Sequence, residues 1–115
     1  MANIPLSQRG MIETLQDTQV SGNGNTIEAP IYFKSHKFII STVPGVNVGA
    51  VQPETSDASD DSANWAPLTS NPVTVIAGTD IVIEYTGMLK FVRARISIPI
   101  SGGIIPSVTV KYQGA

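Results

Sequence analysis

The stretch Leu89-Lys-Phe-Val-Arg-Ala-Arg-Ile-Ser-Ile98 decides the fold. Val92, Ala94, Ile96 and Ile98 alternate with Phe91, Arg93, Arg95 and Ser97. A repeat of two is the signature of a β-strand with one face in a core and the other turned outward. The expected inward face is Val92, Ala94, Ile96 and Ile98. The expected outward face carries Phe91 and two arginines.

The pattern continues on both sides. Upstream, Ile81, Ile83 and Tyr85 alternate with Asp80, Val82, Glu84 and Thr86, and Gly87 makes the turn into residues 89–98. Downstream, Gly102-Gly103 reads as a hairpin turn. Residues 105–112 then close the chain, with Val108, Val110 and Tyr112 opposite Ser107, Thr109 and Lys111. Earlier, residues 32–42 read as a strand with Lys34, His36, Phe38 and Ile40 on one face. Pro44-Gly45 turns the chain into an extended piece over 46–55, where Pro53 implies a sheet edge or an early strand end. Residues 73–76 form a short strand after the Asn71-Pro72 turn. Residues 11–20 and 26–31 read as a strand pair around the Ser-Gly-Asn-Gly-Asn turn at 21–25.

No segment sustains a helical period. Short strands at near-regular spacing, divided by Gly, Pro and Asn turns, predict an all-β domain. Each late strand offers one apolar face for a second sheet to cover. The expected architecture is therefore an antiparallel β-sandwich over 11–115, jelly-roll-like, preceded by an extended N-terminal arm at 1–10. Pro5 and Gly10 break regular structure in the arm, and Ile4 and Leu6 give it apolar side chains to place on the domain or on a neighbour.

The chain has 115 residues, enough for one core. Only 14% of residues are charged, whereas ordinary soluble domains carry about a quarter. Its surface must be covered by uncharged polar groups with apolar area left over, which favours permanent partners. The net charge of -2 and the interleaving of the basic residues with apolar ones give no nucleic-acid footprint. Cysteine is absent, so disulfides and thiolate metal sites are excluded. No run has the length of a membrane span, and residues 1–10 do not read as a signal peptide, which points to synthesis and folding in a cytoplasm.

Chemistry is thinly represented. His36 is the single histidine. Asp17 or Glu28 would have to orient it in a catalytic arrangement, and no serine lies in a nucleophile-elbow sequence. Asp57, Asp60 and Asp61 cluster in the polar loop 56–63, but their spacing lacks the ordered ligands of a calcium loop. The reading is no enzyme, no cofactor and no metal site. Trp65, just before Pro67 and Leu68, is expected to plug one end of the core. Exposed, it would instead mark a carbohydrate- or partner-binding spot. Phe91, Arg93 and Arg95 on one strand face suggest a subunit interface.

Residues 51–112 resemble a small domain that recurs in tailed-phage structural proteins. The resemblance lies in the polar loop Asp57 to Trp65, the Pro67-Leu68 pair, the Phe91 to Ile96 strand and the Val108-Thr-Val110 ending. The apolar Ile-Ser-Ile-Pro-Ile-Ser-Gly-Gly-Ile-Ile stretch at 96–105 departs from it. The resemblance implies a virion protein that decorates and stabilises a phage capsid as a homo-oligomer, a trimer by analogy, with the major capsid protein or other virion proteins as partners. It implies a place on the capsid surface after assembly in the host cytoplasm, and it assigns Ile4, Pro5, Leu6 and Arg9 to attachment. The alternative is a carbohydrate- or receptor-binding module of a head or tail fibre.

Overall fold

The computed structural model describes residues 11–30, 32–59 and 64–115. Their strands are β1 (Met11–Gln19), β2 (Ile27–Glu28), β3 (Ser35–Thr42), β4 (Val48–Ser56), β5 (Ala66–Pro67), β6 (Val73–Thr74), β7 (Ile81–Thr86), β8 (Phe91–Ser101) and β9 (Val108–Gly114). A four-stranded sheet has the order β1-β9-β3-β7, and a five-stranded sheet the order β2-β8-β4-β5, with β6 also on β4. All pairings are antiparallel. The expected all-β fold with two antiparallel sheets in contact is present.

The core lies between the sheets. The four-stranded sheet contributes Leu15, Phe38, Ile40, Val108, Val110 and Tyr112, with Ile81, Ile83 and Tyr85 packed beside them. The five-stranded sheet answers with Val51, Val92, Ala94, Ile96 and Ile100. The alternation read in β3, β7 and β9 sorts these side chains correctly, because those strands pair without interruption. Burying side chains of this size removes apolar area from water at about 25 cal/mol per Å².

Gln16 spans the gap between the sheets on the β1 side. Its Nε2 donates to the Gly22 carbonyl at 3.0 Å and to the Ala94 carbonyl on β8 at 2.8 Å. Its side chain is buried, and the bond to Ala94 forms away from competing water.

The structure corrects several expectations. Residues 11–20 and 26–31 are not a strand pair: β1 lies on β9 and β2 on β8, in different sheets. The 21–25 turn carries the chain across the sandwich. The Gly102-Gly103 turn does the same between β8 and β9, so it is not a hairpin. Ile105 lies in that crossover, 76% exposed, and β9 begins at Val108.

Ile98 does not face the core; it is exposed, and Ile100 takes the inward position. The cause is a change of register. Val51 opposes Ile96, but Ala50 opposes Ile98, so Ser97 is an extra residue on β8, and a second shift follows before Val48 meets Ser101. Each bulge moves the following side chains to the other face. Gly49 sits at this site with φ 150°, where a Cβ would run into the Ile100 side chain.

Pro53 is not at a sheet edge. β4 pairs along one side with β8, and on the other side with β6 at Ala50–Val51 and β5 at Glu54–Thr55. Pro53 lies between those two short partners, so its missing N–H interrupts neither of them.

Candidate functional site

The expected interface residues of β8 converge on the outer face of the five-stranded sheet, though not as a solvated surface. Glu54 and Arg93 are cross-strand partners. Arg93 Nε donates to Glu54 Oε1 at 2.9 Å, and Arg95 Nε to Glu54 Oε2 at 3.3 Å. The Arg93 and Glu54 side chains are only 6% and 7% exposed, while Arg95 is 39% exposed. Arg93 is therefore a buried ion-pair member on the outward face of β8. Phe91 is half-buried on the same face, opposite Ser56, with the Lys90 ammonium 5.7 Å from its ring centre.

Trp65 covers this cluster. The Arg93 guanidinium carbon lies 4.2 Å from the centre of its ring, a cation–π contact. Trp65 is half-buried and lies outside the core cluster, so it does not plug the sandwich. The chain around it is tied to β4: Leu68 N–H donates to the Pro53 carbonyl at 2.9 Å, and Gln52 Nε2 to Thr69 Oγ1 at 2.9 Å. One face of the Trp65 ring is thus taken by Arg93. Sequence reasoning misses the glutamate that organises the cluster. Glu54 and Arg93 lie 39 positions apart, and only the pairing of β4 with β8 brings them together.

His36 is buried between the sheets. Its Nε2–H donates to the Gly87 carbonyl at 2.8 Å, and its Nδ1 accepts from the Tyr112 hydroxyl. Neither Asp17 nor Glu28 is a hydrogen-bond partner of the ring. Burial pushes the His36 pKa below the ordinary value of 6.5, against smaller opposing effects of the Gly87 and Phe33 backbone, and the same burial raises the Tyr112 hydroxyl to about 12. The neutral imidazole with its proton on Nε2 fits this geometry.

Ile4, Leu6 and Arg9 lie outside the described residues, as do Asp60 and Asp61 of the acidic loop. Asp57 is exposed. Among the described residues, no three His, Cys, Asp or Glu side chains gather as a metal site would require.

Among the described residues, the most exposed apolar groups are elsewhere. Ile104 is 99% and Ile105 76% exposed, in the β8–β9 crossover. This crossover lies against the β3–β4 turn, where Asn47 N–H donates to the Ser101 carbonyl at 3.0 Å. Val20, Val48 and Ile76 are exposed at the same end of the sandwich. The connecting residues there, 20–22, 43–47, 75–80 and 102–107, include Asp80 as their single charged side chain. Met11 lies at the opposite end, beside Gly114. The sequence holds the signal in 96–105, but isoleucines in such a run read as strand residues.

No protein-family model, no curated protein and no solved structure matches this chain.

Proposed function

We propose that this chain is a structural subunit that decorates a virus-like shell, docking through the apolar end of its sandwich. The observation that carries the reading is the exposed pair Ile104 and Ile105, on an end whose connecting residues carry a single charged side chain. Apolar side chains concentrated in this way mark contact sites for protein partners. Two β-branched residues on a turn make a wedge suited to a groove between shell subunits.

The strand order supports the same reading. Strands β1-β9-β3-β7 facing β2-β8-β4-β5 are compatible with a jelly-roll-like path, an architecture used by viral capsid and lectin domains. Fold alone does not select between those uses. The Arg93 guanidinium against Trp65 gives that ring a role within the fold, which supports the structural use. The resemblance of residues 51–112 to phage structural domains is what suggests the shell of a tailed phage. In this reading, Ile4, Leu6 and Arg9 supply a second attachment.

The test is co-sedimentation with expanded phage-type shells lacking their own decoration protein. The wild-type chain is expected to pellet with the shells. Ile104→Ser/Ile105→Ser is expected to remain in the supernatant with an unchanged melting temperature. Wild-type protein that ignores such shells, or a double variant that binds as well as wild type, would overturn the reading.

A further inference from the structure

We infer that the chain self-associates about a two-fold axis by pairing β7 with β7 of a second copy. The argument begins with the sheet edges. A strand edge exposes unpaired N–H and C=O groups, and proteins blunt edges that must stay free. β1 is blunted by two register shifts and by Thr18 at φ 54°. β2, β5 and β6 span two residues each, and β5 contains Pro67. β7 has none of these devices. It is six residues long, holds an unbroken register with β3 from Ile81 to Thr86, and contains neither Pro nor Gly. Among the described residues, no strand pairs its other edge.

The side chains select the partner and the register. A two-fold axis normal to the sheet keeps both cores on one side only when it passes through a residue paired with itself. Centred on Glu84, the pairing sets two carboxylates face to face. Centred on Val82, it sets Asp80 against Glu84 of the second copy. Centred on Ile83, it sets Val82 against Glu84 and Ile81 against Tyr85, with no like charges opposed. The inward row of Ile81, Ile83 and Tyr85 then continues across the joint. The outward face meets as Val82, 50% exposed, against the aliphatic stem of a glutamate. Centring on Ile81 or Tyr85 also opposes no like charges but pairs at most three strand residues, whereas the Ile83 register pairs five, Ile81 to Tyr85, and is self-complementary.

This pairing is independent of any shell, so its test uses the full-length chain alone. Sedimentation equilibrium is expected to show a concentration-dependent dimer below about 100 µM. Val82→Glu sets a new carboxylate against Glu84 twice per dimer and is expected to weaken association about ten-fold at an unchanged melting temperature. Val82→Glu/Glu84→Lys restores opposite charges and is expected to recover most of the loss. A strict monomer overturns the inference. A trimer, or a dimer indifferent to both variants, overturns it equally. Shell binding with a monomer would separate failure here from failure of the decoration role.

Discussion

The Tyr112 hydroxyl donates to Nδ1 of His36 over 2.5 Å, with the two rings stacked 5.7 Å apart between the sheets. His36 comes from β3 and Tyr112 from β9, and the Gly87 carbonyl that receives the other ring proton belongs to the turn after β7. One imidazole thus joins three strand ends of the four-stranded sheet. Removing its donor leaves a buried acceptor unsatisfied. Tyr112→Phe is expected to lower unfolding stability by about 2 kcal/mol, read from urea denaturation at pH 7.5. A change within experimental error would mean that the bond is not formed in solution.

The same pair gives the pH dependence a sign. Folded His36 titrates below 6.5, whereas unfolded His36 titrates near that value. Its contribution is full above pH 6.5 and is lost as pH falls from there through the folded pKa, because protons then favour the unfolded chain. Tyr112 works in the opposite direction. Raised to about 12, it contributes fully below pH 10 and loses that contribution as pH rises from 10 toward 12. Urea midpoints should therefore fall on both sides of a plateau. His36→Gln should flatten the acid slope nearest pH 6.5 while leaving the alkaline one. An unchanged acid slope would exclude His36 as its source.

The ion pair beneath Trp65 should separate buried from exposed charge. Arg93→Met removes the closest partner of buried Glu54 and is expected to cost about 3 kcal/mol. Adding Glu54→Leu should recover most of this, since an apolar pair of similar volume avoids burying an unbalanced carboxylate. Lys37 and Glu84 are 3.7 Å apart, with side chains 45% and 68% exposed. Lys37→Ala should change stability by less than about 0.5 kcal/mol. Equal effects at the two sites would contradict the burial difference.

Gln16 makes a further test. Gln16→Leu keeps the volume but leaves the Gly22 and Ala94 carbonyls without their side-chain donor. The expected cost is about 2 kcal/mol, accompanied by faster amide exchange around residues 20–25. Uniform exchange rates across the variant would show that the clamp is not what fixes this crossover.

The strands are legible because their signal is local. β3, β7 and β9 display alternation in adjacent residues, and the structure uses those faces unchanged. Topology is less so, since a Gly-rich turn serves a hairpin or a crossover equally, and 21–25 and 102–103 both have the composition of hairpins. Ile98 escapes the alternation because a bulge needs only one extra residue and leaves no compositional mark. For the candidate site, the cluster of Phe91, Arg93 and Arg95 is visible, but its buried state depends on Glu54 and Trp65, brought in from distant positions. The exposure of Ile104 and Ile105 is hidden for a simpler reason. Isoleucine is ordinarily a core or strand residue, and only the placed backbone shows that here it is neither.

The two turns that carry the isoleucine end are braced against each other. A Cβ at Gly102 would strike Asn47, and one at Gly103 would press on the Pro44 carbonyl, so the backbones touch where glycine alone permits it. Ile104 and Ile105 are thus held out on a stiffened mount rather than on a loose loop. A surface ordered before contact surrenders little conformational freedom when it docks. In the docking role proposed above, the ordering cost would fall on the two isoleucine side chains and on the lost motion of the whole subunit, with little added by the backbone of the turns.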